Sequence, residues 1–316
     1  MSAPGEAHPL AGSRIAIVGS GAMGCYYGAR LAAAGCDVHF LMRSGLEHVR
    51  THGLTVRSHL GDILLPQVQA WATAAECGPV DLVLITLKTT GNAALEQLVP
   101  PLLREDTVLL TLQNGLGNEE YLASRWGAAR VMGGVAFTCI NRLSPGVIEH
   151  TAQGNIAIGA YAPDLARQGM VLRIAAGFNA SGVECRVVDS LAAVRWRKLV
   201  WNIPFNGLAI LGGGIDTERI LQDPALAALV GPLMEEVIAA AAALGHPMPA
   251  GLVENQFEVT RKVGAYRPSS MLDYLAGAPV EVEAIWGEPL RAAARAGVPT
   301  PRLDMLYHLL RSLCQV

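Results

Sequence analysis

The chain has 316 residues, of which 51% are hydrophobic and 16% charged, and its formal net charge is −3 at pH 7. This length suits two domains, and this composition predicts a large buried core and excludes an intrinsically disordered chain. A slightly acidic chain without a dense run of lysine and arginine is unlike proteins whose main partner is a nucleic acid or an anionic membrane surface.

Cysteine usage and the amino terminus indicate a soluble cytoplasmic protein. The six cysteines are scattered, and neither they nor the eight histidines show the spacing of a metal site. This pattern favours free thiols in a reducing compartment over a disulfide framework or a zinc site. Residues 1–13 lack the hydrophobic stretch of a signal peptide. The longest apolar runs, such as residues 237–244, are far shorter than the roughly 20 residues that span a bilayer.

The first predicted element is a short apolar strand, residues 15–18, that ends in the motif Gly19-Ser20-Gly21-Ala22-Met23-Gly24. An alanine-rich segment, residues 22–34, follows and predicts a helix. Strand, Gly-x-Gly-x-x-Gly turn and helix together indicate a dinucleotide site rather than an incidental glycine turn. Gly19 allows the tight turn, Gly21 lets a pyrophosphate approach the backbone, and Gly24 lets helix and strand pack closely. The helix N-terminus offers free N–H groups to the phosphates.

The end of the second predicted strand, residues 38–41, indicates which dinucleotide binds. Sites for NAD usually place Asp or Glu there to bind the ribose 2′-hydroxyl, whereas an arginine accommodates a 2′-phosphate. Here Asp37 precedes the strand, no acidic residue follows it, and Arg43 stands just beyond its end. Arg43 can pair with a phosphate dianion, although a solvated loop arginine is the alternative. We therefore predict NADP (as NADPH) rather than NAD.

The remaining first half alternates strand-like and helical segments, which predicts an α/β domain with a doubly wound sheet. Residues 54–65 predict a hairpin, and residues 80–87 and 108–112 predict buried strands. Helices are expected at about residues 93–103 and 118–126. Residues 131–160 are rich in glycine and β-branched residues and predict a few antiparallel strands, with a last short strand at residues 187–188.

The second half is helical from about residue 190. The candidate helices are residues 190–203, 223–244, 252–262, 280–296 and 302–314. The chain is therefore predicted to have two domains. Residues 1–189 form the NADP-binding domain, and residues 190–316 form an all-helical domain for substrate and catalysis.

A polar stripe interrupts the first of these helices. Lys198, Asn202 and Asn206 are four residues apart, so a helix places them along one face among apolar neighbours. Burial disfavours the charged form of a lysine, which suits it to give a proton to a developing alkoxide. The spacing leaves equally open that Lys198 reaches solvent and that the asparagines cap or bridge helices. Pro204 should kink or end the helix before Asn206.

The motifs occur in the order of a known family. They are the glycine motif, Leu87-Lys88, Gln113-Asn114-Gly115, Lys198-x-x-x-Asn202, and Ser269-Ser270-Met271 followed by Glu281. Over about residues 14–311 the chain resembles the ketopantoate reductases (2-dehydropantoate 2-reductases). The resemblance implies reduction of 2-dehydropantoate to (R)-pantoate with NADPH, in pantothenate and coenzyme A biosynthesis. It also implies a Rossmann domain followed by a helical domain resembling those of 6-phosphogluconate-type dehydrogenases.

The resemblance implies a role for each matching residue. Lys198 would donate the proton to the ketone oxygen, and Ser270 would bind the carboxylate. Glu281 would lie near the substrate hydroxyl and the cofactor, a choice over Glu283 that only the resemblance makes. The implied substrate-binding set is Lys198, Asn202, Asn206, Ser270 and Asn114. The implied cofactor-binding set is Gly19, Ser20, Gly21, Ala22, Met23, Gly24, Arg43, Lys88, Asn114 and Glu281.

Two departures from the family pattern leave the substrate open. The segment after Met271 is one residue shorter than usual, so Ser269 remains an alternative carboxylate ligand, and Gly207 rather than proline follows Asn206. The alternatives are an NADPH-dependent reductase of another 2-oxo acid or an imine, and a non-catalytic NADP-binding regulator. We expect a small-molecule substrate and a possible homodimer. The arginines beside Lys198, Arg195 and Arg197, are expected on a solvated face or at a domain contact.

Overall fold

The computed structural model describes residues 7–162 and 165–315, the side chains of residues 165–167 excepted. The chain divides into two compact units. The first comprises Met1–Gln113 and Asn118–Leu191, and the second comprises Asn114–Gly117 and Ala192–Val316. Residues 1–6 lie outside the described residues, so they do not test the expected absence of a signal peptide.

The first unit contains a mixed sheet with helices. Its strands are β1 (Arg14–Val18), β2 (Asp37–Leu41), β3 (Leu54–Ser58), β4 (Ile63–Leu65), β5 (Gln69–Trp71), β6 (Leu82–Ile85), β7 (Val108–Thr111), β8 (Val131–Ser144), β9 (Val147–Ala160) and β10 (Cys185–Val187). Its helices are α1 (Ala22–Ala33), α2 (Leu46–His52), α3 (Ala74–Cys77), α4 (Leu95–Leu98), α5 (Asn118–Trp126) and α6 (Leu165–Ala180).

The strand order is β4-β3-β9-β8-β7-β6-β1-β2-β5, with β10 beside β9. Strands β5, β2, β1, β6 and β7 run parallel, and every residue of β6 and β7 is buried. Apolar side chains throughout such a strand are what burial on both faces requires. The predicted doubly wound sheet is confirmed, and so is the predicted hairpin, because β3 and β4 pair antiparallel.

Two segments of this unit differ from the sequence predictions. Residues 131–160 form one long antiparallel pair, β8 with β9, instead of several short strands. The register shifts at three points along β8 interrupt the ladder without ending it. The helix expected at residues 93–103 is broken into 3₁₀ turns at Thr89–Ala94 and Pro100–Leu102 around the short α4. Consecutive prolines at 100 and 101 cannot donate helical hydrogen bonds, which explains the break.

The regular secondary structure of the second unit, in its described part, is helical. Its helices are α7 (Leu191–Leu211), α8 (Thr217–Gln222), α9 (Pro224–Ala243), α10 (Leu252–Val263), α11 (Ser269–Leu275), α12 (Glu288–Arg295) and α13 (Pro301–Leu313). A π-helical turn, Glu283–Gly287, precedes α12, where the sequence predicted a continuous helix. The core of the unit includes the fully buried Trp286, Phe205 and Val237.

Helix α7 does not end at Pro204. It continues to Leu211, although Pro204 has no N–H to donate to the Val200 carbonyl. The turn around the proline is fully buried, and two side chains bind its carbonyls. Trp286 donates its indole N–H to the Ile203 carbonyl at 3.0 Å, and Asn206 donates its amide to the Asn202 carbonyl at 3.1 Å. Packing and these bonds keep Asn206 on the helix.

Helix α9 is long and apolar enough, by length and composition, to cross a membrane, with a mean hydropathy of 1.7. Core helices of soluble proteins meet the same criterion, so the finding is weak evidence for a membrane span. In the helical unit α9 packs against α8, α12 and α13. Its buried Glu236 accepts hydrogen bonds from the backbone N–H groups of Arg302 and Leu303, at the start of α13. These contacts pack one side of α9 into the helical unit, where 39% of its apolar window is buried.

Candidate active site

The glycine turn of the first unit requires glycine at two of its three positions. Gly19 has a φ of +103°, and a Cβ there would overlap the backbone of Leu87. A Cβ at Gly24 would overlap the Gly19 carbonyl and the Thr86 hydroxyl. That hydroxyl donates a hydrogen bond to the Gly19 carbonyl at 2.7 Å. Gly19 and Gly24 are therefore glycines because the turn, the next strand and α1 pack together there.

Gly21 is different, because a Cβ at this position would meet no heavy atom within 4 Å. Gly21 is the N-cap of α1 and offers no side-chain cap, so the first N–H groups of the helix have no side-chain partner there. The adjacent Ser20 hydroxyl is buried and has no hydrogen-bond partner among the described residues. Open space, free N–H groups and an unpartnered hydroxyl fit the pyrophosphate of a dinucleotide.

Three neighbouring strands bring the other predicted cofactor residues of this unit to the same edge of the sheet. Val18 of β1 pairs with Leu41 of β2 on one side and with Ile85 of β6 on the other. Arg43 and Lys88 follow these strands, and both are exposed. Within the described chain the Arg43 guanidinium makes no hydrogen bond or ion pair, so it is available to an anionic ligand. Its position fits the predicted contact with a 2′-phosphate.

In the helical unit, Lys198 contacts the segment Asn114–Gly117. Its Nζ donates a hydrogen bond to Asn114 Oδ1 at 2.6 Å. Burial lowers the pKa of the Lys198 ammonium from its ordinary 10.5 to about 8. The nearby Arg195 charge also lowers this pKa, whereas the charge of Glu281 raises it. An ammonium with a pKa near neutrality is charged at physiological pH and can release its proton readily.

Asn206 holds Ser270 in place. Helix α11 begins after Pro268, which gives its first turn no side-chain cap. Asn206 Oδ1 accepts the Ser270 N–H at 3.0 Å and so supplies the missing cap from α7. Ser270 is 2% exposed, whereas Ser269 is exposed, which supports Ser270 as the substrate ligand. Asn206 thus links the Asn202 carbonyl to the Ser270 N–H through one N–H and the oxygen of its amide.

Two buried polar groups of the same unit remain available to a ligand. The Asn202 amide and the Ser270 hydroxyl belong to residues that are 8% and 2% exposed. Neither group forms a hydrogen bond with another described residue, and neither is among the fully enclosed polar atoms that lack a partner, so both remain accessible to solvent. Glu281 is also buried, at 7% exposed, just before the π-helical turn. A polar ligand could therefore form hydrogen bonds with Asn202 and Ser270 in place of water.

The π-helical turn fixes the segment that carries Asn114. The backbone N–H of Leu116 donates to the Ala284 carbonyl at 3.0 Å. Gly115 has a φ of +81°, and a Cβ there would overlap Ala284. Turns of this kind occur frequently at functional sites. Here the turn holds the backbone at Gly115 and Leu116, which directly follow Asn114, the residue that Lys198 contacts.

The chain matches two family models. The model described as ketopantoate reductase PanE/ApbA matches residues 15–163, and its C-terminal counterpart matches residues 190–313. The chain belongs to the ketopantoate reductase family. The resemblance found in the sequence motifs is confirmed, and so is the predicted fold of a Rossmann domain followed by a helical domain.

Relatives of this family cover nearly the whole chain. A 2-dehydropantoate 2-reductase of Nostoc sp. is 41% identical over 303 residues, which is 95% of each protein. The crystal structure of a 2-dehydropantoate 2-reductase from Geobacter metallireducens is 47% identical, with a TM-score of 0.91, and the match covers 95% of this chain and 99% of that one. D-Mandelate dehydrogenase, solved with NADH and anilino(oxo)acetate, is 21% identical with a TM-score of 0.87 over 96% of this chain and 98% of that one, and shares the fold.

The sequence left two positions open for Arg195, a solvated face or a domain contact. Arg195 is 5% exposed, which excludes the solvated face, and it donates from Nη1 to the Gly115 carbonyl at 3.3 Å. Arg197 is exposed, as the solvated-face interpretation requires. The sequence spacing could have indicated that Arg195 lies beside Lys198, because a residue three positions before Lys198 is on the same helix face.

The glycine turn predicts opposite effects for two substitutions. G19A should lower the melting temperature by at least roughly 5 °C, because of strain at positive φ and overlap with Leu87. G21A should melt like the wild type but bind NADPH about tenfold more weakly or worse, which corresponds to about 1.4 kcal/mol. Thermal unfolding and fluorescence titration with NADPH measure the two effects. Equal affinity of G21A and wild type for NADPH would contradict the placement of the phosphates.

Proposed function

We propose that the chain is an NADPH-dependent oxidoreductase that reduces 2-dehydropantoate to (R)-pantoate in the cytoplasm, for pantothenate and coenzyme A biosynthesis. The observation that carries the proposal is the 2.6 Å hydrogen bond from Lys198 Nζ to Asn114 Oδ1, in a chain that belongs to the ketopantoate reductase family. In this proposal residues 1–189 bind the cofactor. Residues 190–316 supply the groups that bind the substrate and catalyse the reaction.

Lys198 is the proton donor of the proposed reaction. Bound NADPH supplies a hydride to the carbonyl carbon of the 2-oxo acid. Negative charge then develops on the carbonyl oxygen, and Lys198 gives that oxygen a proton. Asn114 accepts one of the three ammonium hydrogens, which orients the other two. Glu281 favours the protonated form of Lys198, because its charge raises the pKa of the ammonium.

Ser270 and Asn202 bind the substrate in this proposal. The Ser270 hydroxyl donates a hydrogen bond to the substrate carboxylate, and Asn206 fixes Ser270 through its backbone N–H. Asn202 lies one turn after Lys198 on α7 and supplies an amide to the same ligand. Asn206 positions Ser270 and also belongs to the proposed substrate-binding set, because its amide nitrogen carries a second hydrogen besides the one that the Asn202 carbonyl accepts.

The proposed cofactor site combines the glycine turn with charged residues. The backbone from Gly19 to Gly24 binds the pyrophosphate, and Arg43 binds the 2′-phosphate that distinguishes NADP from NAD. The proposed set also includes Lys88, Asn114 and Glu281.

The unusual Gly207 does not require a different substrate. A Cβ at this position would lie 2.9 Å from the Leu306 side chain of α13, so glycine permits close packing of α7 against α13. The departure from the family pattern thus has a packing explanation. A reductase of another 2-oxo acid or an imine, and a non-catalytic NADP-binding regulator, are the alternatives that the assay below distinguishes.

A homodimer through the helical unit completes the proposal. Met305, Leu309 and Leu313 of α13 are 57%, 48% and 41% exposed. Their spacing of four residues places them in one apolar stripe. A second copy of the chain that covered this stripe would remove apolar surface from water.

The function is tested by the oxidation of NADPH with 2-dehydropantoate and with a panel of other branched 2-oxo acids and imines. The highest kcat/KM for 2-dehydropantoate supports the proposal. A clear preference for another substrate would establish a different reductase. Tight binding of NADPH without turnover of any substrate would establish a regulator.

Removal of the proton donor should abolish most of the turnover. K198A should lower kcat by roughly 10²–10⁴-fold, the usual contribution of general acid catalysis, with NADPH affinity unchanged. K198R keeps a positive charge but holds its proton too tightly to donate it, so it should not restore turnover. K262A removes an exposed lysine of α10 and serves as the matched control. A K198A variant with most of its activity would exclude Lys198 as the donor.

Arg43 should select the cofactor. R43A should raise KM for NADPH by about 10- to 100-fold, the effect of losing a charge-assisted pair, and should change KM for NADH little. R57A, which removes an exposed arginine of β3, is the control in the same unit. Steady-state kinetics with both cofactors measure the effect. Equal increases of KM for NADPH and NADH would contradict the assignment of the 2′-phosphate to Arg43.

A further inference from the structure

Arg195 is a buried cation for which neither the sequence motifs nor the proposed chemistry provides a role. It lies on α7, three residues before Lys198, and only 5% of its surface is exposed. We propose that Arg195 is the positioning residue of the proton donor, holding the backbone at Gly115 so that Asn114 meets Lys198. The inference rests on the proposed function, in which Lys198 is the donor.

Three consecutive residues are held by the helical unit, and Arg195 holds the middle one. Asn114 Oδ1 accepts from Lys198 at 2.6 Å, the Gly115 carbonyl accepts from Arg195 at 3.3 Å, and the Leu116 N–H donates to Ala284 at 3.0 Å. Lys198 and Arg195 reach the segment from the same face of α7, and Ala284 reaches it from the π-helical turn. The segment is therefore attached at successive residues, and Asn114 has little freedom to move from Lys198.

The segment is also shaped so that it can approach the π-helical turn. Gly115 has a positive φ, and any larger residue would overlap Ala284. This close approach leaves the Gly115 carbonyl within reach of the Arg195 guanidinium. A peptide fixed on both sides in this way orients the side chain of the preceding residue, which is Asn114.

The choice of a cation at this position has an electrostatic consequence. The Arg195 charge lowers the pKa of Lys198, and Glu281, which precedes the π-helical turn, opposes that effect. Arg195 thus orients the partner of Lys198 and also promotes release of its proton.

Two substitutions separate position from charge. R195M removes both the hydrogen bond and the charge. It should lower kcat by about 10- to 100-fold, since small misplacements of catalytic groups have effects of this order. It should also move the high-pH limb of the kcat/KM profile to higher pH by roughly one unit, because removing the like charge of Arg195 raises the pKa of Lys198. R195K keeps the charge without the planar fork. It should leave the limb in place while kcat remains below that of the wild type.

R197M is the matched control, because Arg197 lies on the same helix and is exposed. It should change neither kcat nor the pH limb. Wild-type kcat and pH limb in a folded R195M variant would overturn the proposal, and so would an equal upward shift of the limb in R195M and R195K. If R195M fails to fold, the R195K comparison still decides, because unchanged kcat in R195K would overturn the positioning role.

A readout without substrate separates this inference from the proposed function. The neutral amine of Lys198 displaces sulfite from trinitrobenzenesulfonate and so becomes trinitrophenylated. The rate of this arylation, followed by peptide mass spectrometry over a range of pH, reports deprotonation of the amine. The midpoint of this rate should rise in R195M relative to wild type and R197M. Absence of turnover with every 2-oxo acid would contradict the function alone, whereas an unchanged midpoint in R195M would contradict the role of Arg195.

Discussion

The hydrogen bond between Lys198 and Asn114 is the interaction on which the proposed chemistry depends. A lysine in apolar surroundings loses much of the stabilisation that water gives its charge. Asn114 replaces part of it with a carbonyl oxygen at 2.6 Å, and Glu281 replaces part of it with a negative charge. The result is an ammonium that remains protonated near neutral pH but binds its proton less tightly than a lysine in water.

The surroundings of this pair show how the helical unit maintains it. Asn206 caps α11 and fixes Ser270, the π-helical turn holds Leu116, and Arg195 holds Gly115. Each of these contacts uses a backbone group, so the positions of the polar side chains are set by main-chain geometry. The glycines of the two units have different reasons to be glycine. Gly19 and Gly115 are required because a side chain there would overlap neighbouring backbone, whereas the open space at Gly21 leaves room for a ligand.

The elements that could be predicted from the sequence are those whose burial dictates their composition. β6 and β7 are buried on both faces, so their apolar runs were recognisable, and α5 was predicted with the bounds it has in the structure. The stripe of Lys198, Asn202 and Asn206 was recognisable because its period is that of a helix. The predicted site residues of each unit lie where strand ends or helix faces bring them.

The features that could not be predicted depend on contacts between distant segments. Pro204 is tolerated within α7 because buried neighbours and Trp286 support the turn around it, which local propensity does not reveal. Arg195 can be buried because the Gly115 carbonyl, some 80 residues away in sequence, accepts a hydrogen bond from its guanidinium. The cap that Asn206 gives to Ser270 spans 64 residues. Helical spacing identifies which residues share a face, but it does not identify the segment that the face will meet.

The state of the Lys198 ammonium is the most direct test of the account. An NMR titration of lysine-labelled protein, with the Lys198 resonance assigned by its absence in K198R, gives the pKa of this group without any substrate or cofactor. The account predicts a midpoint of about 8. A midpoint at the ordinary 10.5 would contradict it, because Lys198 would then be an unperturbed, solvated lysine.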